Sequence, residues 1–274
     1  MQYYLSLIDE HVTDPQIRHA MAGQLLSQIL ASEDIPAGFK VVIPITDQAG
    51  NPTVATYTVD KKFDLWHGIP AYGLSSSHEA ASPIILFRST KSNLSETKVL
   101  ASLLTNLHPK GVAWNTFKNC RQEVREWLEK ETQSSGHLAR AIGFSQGGAL
   151  AKYFVTYDHD LFSKEGWAPS LTFGAPATSS SVKESYENLS AKPHLESYIT
   201  RGDVVPKVGE SLFGTVYQVT STKDLPFPKS HSTLSLLDSS WSLHKVDVEL
   251  ENKSHIRDLV SSALSHVGKV LFIA

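Results

Sequence analysis

Apolar positions recur along this chain with two periods, and where each applies predicts the order of elements. Ile17, Ala20, Met21, Leu25, Gln28 and Ile29 fall at helical spacing behind Thr13-Asp14-Pro15, an N-cap followed by a first-turn proline. They predict a helix ending near Ser32. Lys40 to Thr46 and Thr53 to Val59 are β-rich runs separated by Asp47-Gln48-Ala49-Gly50-Asn51-Pro52, which predicts a hairpin. Phe63 to Ser82, with Trp66-His67-Gly68 and Ser75-Ser76-Ser77, has no clear period and reads as a long irregular segment. Ile84-Ile85-Leu86-Phe87 is a continuous apolar run, the mark of a buried strand. Lys91 to Pro109 is amphipathic, a packed helix or a mobile cover over a site. Gly111 to Gln133 predicts a helix with Phe117, Val124, Trp127 and Leu128 on its inner side and Glu123, Arg125, Glu126, Glu129 and Lys130 on a solvated face.

Farther on, Leu171 to Phe173, Glu196 to Thr200 and Thr215 to Thr220 read as strands, and Ser179 to Lys192 as loop and short helix. Lys223 to Ser230 is a proline-containing loop that ends at His231, and Ser254 to Val267 predicts a closing helix. Strands alternating with helices point to an α/β architecture. No repeat or linker divides it, so residues 1–274 are expected to form one domain, with 1–35 as an N-terminal helical segment.

Composition narrows the class. In 274 residues, 41% are apolar and 19% charged, enough for a substantial core. A net charge of -3 leaves no basic footprint for nucleic acid. Cys120 is the single cysteine, which excludes an internal disulfide and a cysteine-based zinc site. Residues 1–9 lack the basic start and apolar run of a signal peptide. No stretch reaches the roughly 20 apolar residues of a membrane span. The expectation is a soluble chain, cytoplasmic or exported without a classical signal.

The most informative stretch is Ala139 to Leu150. Apolar residues lead into Gly143-Phe144-Ser145-Gln146-Gly147, and helix formers follow. Strand, sharp turn and helix in that order place a serine at the apex of a nucleophile elbow, with glycines where a Cβ would collide. The Gln146 amide and the helix N-terminus then face the place where a carbonyl oxygen turns negative. A serine hydroxyl is a poor nucleophile unless an imidazole takes its proton and a carboxylate orients the imidazole. Those partners belong past the ends of later strands, in the order Ser, Asp, His. Asp203, in the loop after Glu196–Thr200, meets that condition. Among 12 histidines, His231 is the first choice for the base and His244 the second; His255 lies later, and His67 and His78 read as surface residues. Thr90, just past the apolar run at 84–87, is the candidate for the second oxyanion donor. Losing one such donor costs about a hundredfold or more in turnover. This chemistry calls for no metal or organic cofactor.

Several segments together resemble the class 3 lipases, the fungal triacylglycerol lipase type. Ile84 to Thr90 is similar to their apolar strand ending in Phe-Arg-Gly-Ser/Thr, and Gly111-Val112 with Phe117 and Val124-Arg125 to the segment before their elbow. Gly143 to Ala151 is similar to Gly-His-Ser-Leu-Gly-Gly-Ala-Leu-Ala, Thr172 to Pro176 to Thr-Phe-Gly-Ser/Ala-Pro, and Asp203 to Pro206 to Asp-x-Val-Pro. The resemblance spans about Lys40 to His231. It implies an α/β-hydrolase fold with a mostly parallel central sheet flanked by helices. It further implies Thr90 in the oxyanion hole, Asp203 as the catalytic aspartate, a lid within Lys91 to Lys110, and a lipid or other acyl-ester substrate met by transient contact with a membrane surface. Ser89 stands where the family has glycine, Phe144 where it has histidine and Gln146 where it has leucine. Gly-Phe-Ser-Gln-Gly-Gly also resembles the acyl-protein thioesterases and carboxylesterases, which are the alternative. A catalytically inactive fold that binds lipid or protein is the other.

Overall fold

A computed structural model of the chain describes Ile8, Val12, residues 14–88 without 29, 33, 48–49 and 66–68, and residues 108–247 without 165–167, 222–224, 226, 228, 233–234 and 238–240. Among the described residues nine strands form one sheet, arranged side by side in the order in which the chain makes them. They are β1 (Lys40–Thr46), β2 (Pro52–Leu65), β3 (Ile69–Ser75), β4 (Ile84–Phe87), β5 (Arg140–Phe144), β6 (Ser170–Phe173), β7 (Leu195–Thr200), β8 (Thr215–Ser221) and β9 (Trp241–Lys245). β1 to β4 pair antiparallel, β4 to β8 parallel, and β8 with β9 antiparallel. The helices are α1 (Pro15–Gln28), α2 (Trp114–Ser135), α3 (Gln146–Tyr157), α4 (Ser180–Glu187) and the single turn α5 (Lys229–Ser232).

Parallel strands that advance in one direction, each joined by a right-handed crossover, place their connecting helices on one face. Accordingly Val124 of α2, Phe154 of α3 and Val182 of α4 share one apolar cluster with Ile85 and Phe87. Ile84 and Leu86, the alternate residues of β4, point into the other cluster, which α1 covers through Met21, Leu25 and Leu26. A strand buried on both faces explains the unbroken apolar run at 84–87. Among the described residues no helix is long and apolar enough to cross a membrane.

Four expectations are corrected or completed. Within the segment from Phe63 to Ser82, residues 63–65 and 69–75 are strand: β2 runs on to Leu65, and β3 pairs with it antiparallel, Leu65 opposite Ile69. β9 is an additional edge strand. Helix α1 is buried on every side from Arg18 to Ser27, so its role is that of a core element. Arg125 does not merely face solvent. With Arg121 it reaches the fully buried Asp158 carboxylate beyond the end of α3, at 2.8 and 3.0 Å, and it also binds Asp160. Residues 91–107 and the expected helix at 254–267 lie outside the described residues.

Lys152 of α3 is fully buried, its Nζ donating to the Pro176 carbonyl at 3.1 Å. Burial lowers its pKa from 10.5 to about 7. Below about 7 the lysine is charged in both states, and the native state bears the full cost of desolvation. Between about 7 and 10.5 the unfolded chain holds the extra proton, so stability rises with pH across that window, by up to about 1.4 kcal/mol per unit. Denaturant melts on both sides of the window should show that rise, and Lys152→Met should flatten it.

Candidate active site

β5 ends at Phe144 and α3 begins at Gln146, so the chain reverses direction within one residue. Ser145 occupies that residue at φ 54° and ψ -124°, a conformation L-residues adopt at a cost of about 1–3 kcal/mol. Its N–H donates to the Phe173 carbonyl of β6 at 2.9 Å, which ties the turn to the neighbouring strand. The flanking glycines are dictated by backbone. A Cβ on Gly143 would fall on the Gly147 carbonyl, and one on Gly147 on the Phe87 carbonyl.

His231, on α5, faces this turn. Its Nε2 lies 3.0 Å from Ser145 Oγ and its Nδ1 2.7 Å from Asp203 Oδ2. A carboxylate only accepts, so Nδ1 carries the proton and Nε2 is left to accept from the serine hydroxyl. The other Asp203 oxygen, Oδ1, accepts the Val205 N–H at 2.9 Å, which fixes the carboxylate plane. Gly174 closes the arrangement from the end of β6. At φ 52°, it lies so close that a Cβ would stand 3.0 Å from both Asp203 Oδ2 and His231 Nδ1. Its place in Thr172-Phe173-Gly174 was legible as a motif, but its reason is this contact. Ser145, Asp203 and His231 are 1%, 5% and 8% exposed, so all three side chains are held within the protein rather than on its surface.

Phe144 stacks on the His231 ring, centroids 4.7 Å apart and planes 27° from parallel. Sequence marked it only as a departure from histidine. Such contacts are worth about 0.5–1.5 kcal/mol, so Phe144→Ala should lower kcat by up to about tenfold with KM little changed. Phe144→His should restore most of the loss. Steady-state kinetics of the two variants would check this.

Gln146 opens α3, where first-turn N–H groups have no intrahelical acceptor and the helix dipole is positive, so its amide suits a developing oxyanion. Its side-chain Oε1 is buried with no partner among the described residues. The expected second donor, Thr90, lies outside the described residues, as do Ser89, His67 and His255. His244 is exposed on β9 and bonds Ser242 Oγ at 3.1 Å, so it does not join Ser145. His78 Nδ1 accepts the Ala80 N–H at 3.1 Å.

Comparison with known proteins follows the same lines. No protein-family model matches the chain, and no curated protein sequence does. Among solved structures it is similar to a triacylglycerol lipase from Penicillium expansum, with a TM-score of 0.50 and 11% identity over 89% of this chain and 84% of the other. It is also similar to lipase II from Rhizopus niveus, with a TM-score of 0.43 and 13% identity over 80% of this chain and 81% of the other. At 11% identity the Penicillium likeness is one of fold. The chain has the α/β-hydrolase fold in the form seen in class 3 lipases.

Proposed function

We propose that this chain is a serine hydrolase that cleaves carboxylic esters, lipid esters foremost, through an acyl-enzyme. The observation that carries this reading is the continuous hydrogen-bonded path from Ser145 Oγ through His231 to Asp203. In the proposed cycle Oγ attacks the ester carbonyl carbon while His231 Nε2 takes its proton. The imidazolium is steadied by the Asp203 charge, and the tetrahedral oxyanion is held by the Gln146 amide together with Thr90. Collapse expels the alcohol, which receives the proton from Nε2. Water, deprotonated by the same nitrogen, then attacks the acyl-serine, and the acid leaves as Oγ regains its proton.

The fold shared with a protein described as a triacylglycerol lipase supports a lipid acyl group, which the enzyme would meet at a membrane or droplet surface. The test is a chain-length series of p-nitrophenyl esters beside an acyl-thioester of matched length. Highest kcat/KM on the longer esters is the expected result. Preference for the thioester would move the assignment to the acyl-protein thioesterase type. Absence of turnover on every substrate would favour an inactive fold used for binding.

A further inference from the structure

At the opposite end of the parallel strands from Ser145 lies a cavity of about 270 Å³. Arg140, which opens β5, lines it, and the length of the strand, about 16 Å at ~3.3 Å per residue, separates it from the serine. Arg140 is 3% exposed. Its Nε–H donates to the Pro169 carbonyl at 2.9 Å, and its remaining guanidinium N–H groups have no acceptor among the described residues. A buried guanidinium ordinarily has a carboxylate partner. The nearby carboxylates are engaged elsewhere. Glu196 accepts from Gln16 at 3.1 Å, from Tyr198 at 2.7 Å and from His194 at 3.3 Å. Asp47, on the cavity wall, accepts from the Asn51 backbone and side-chain amides.

His19 lines the cavity at 3% exposure, with Nε2 3.3 Å from Thr46 Oγ1 and Nδ1 buried without a partner among the described residues. When Nε2 accepts from the threonine hydroxyl, Nδ1 carries a proton it donates to nothing. Burial and the charges of Arg140 and Arg18 lower the His19 pKa to about 3, so the ring is neutral near pH 7. His137 bonds the Glu79 carbonyl through Nε2. The buried Arg140 charge, its unsatisfied guanidinium donors and an apolar wall of Ile45, Ala80 and Ala168 are complementary to a monoanion with a short hydrocarbon part, the Asp47 carboxylate that also lines the cavity being held by the Asn51 amides.

We infer that this cavity binds the carboxylate of a small organic acid, with Arg140 as its charge partner. Ligand-observed NMR titration of butyrate into the full chain, in a buffer free of carboxylate and phosphate, tests it. Native protein should bind butyrate saturably. Arg140→Gln should weaken binding by about tenfold or more, the loss expected for a hydrogen bond to a charged group, and the cavity-filling Ala168→Leu should weaken it at least as much by occupying the space the ligand needs. Ser145→Ala should bind as the native chain does. If Arg140→Gln does not fold, Ala168→Leu, at a half-buried position, decides alone. No saturable binding, unchanged binding in Ala168→Leu, or loss in Ser145→Ala would overturn the assignment. Tighter binding of inorganic phosphate than of butyrate would overturn the carboxylate in favour of a tetrahedral anion.

Discussion

Replacing His231 by alanine lowers turnover of a p-nitrophenyl ester by about 10⁴-fold or more, and adding Ser145→Ala to it lowers turnover little further. The size follows from what His231 does in the proposed cycle. Its Nε2, 3.0 Å from Ser145 Oγ, is the described base positioned to take the serine proton, and the same nitrogen returns it to the leaving alcohol. Without it the hydroxyl attacks as a neutral alcohol. The two substitutions are non-additive because each abolishes the one step that needs both groups. His244→Ala, on the exposed edge strand, leaves the rate within about twofold of native, the insensitivity expected of a surface position away from the chemistry. Equal losses in the His231 and His244 variants would remove His231 from its assigned role.

Asp203→Asn has a comparable effect by another route, about 10⁴-fold in kcat with the fold intact. Asp203 accepts two hydrogen bonds, from Val205 N–H at 2.9 Å and from His231 Nδ1 at 2.7 Å. Asparagine has one oxygen to offer. If that oxygen keeps the Val205 amide, its NH₂ group faces Nδ1, and the ring answers by carrying its proton on Nε2. Nε2 then meets the serine hydroxyl as a donor and cannot accept. The measurement is kcat alongside a denaturant melt. An intact melt with activity near native would show that Asp203 does not set the tautomer.

How much of this was legible in the sequence differs from element to element, for physical reasons. β4 and the Phe144–Gln146 turn were legible because each carries a local signature, a run of four apolar residues in one and closely spaced glycines in the other. The hairpin β1–β2 was legible from alternation and its turn residues. The strands at 63–65 and 69–75 were not, since Trp66-His67-Gly68, Pro70 and the serines at 75–77 gave the stretch no clear period. Tertiary pairing overrides such local preference. Among the site residues, Ser145 and Asp203 follow from motifs and strand ends. His231 was one of several histidines because only folding brings residues 86 apart in sequence within hydrogen-bond reach. The stacking of Phe144 on that ring is a long-range contact with no local trace, and Gly174 showed as part of a motif without the contact that requires it. The buried Arg140 was likewise hidden, since an arginine at the start of a strand reads as an ordinary surface residue.

The most direct test of the central claim, that Ser145 is a nucleophile activated by His231 and Asp203, is covalent labelling with a fluorophosphonate followed by peptide mass mapping. The account predicts one adduct, on Ser145, absent from Ser145→Ala and strongly slowed in His231→Ala. Folded native protein that takes no label, or labelling that persists unchanged in Ser145→Ala, would contradict it.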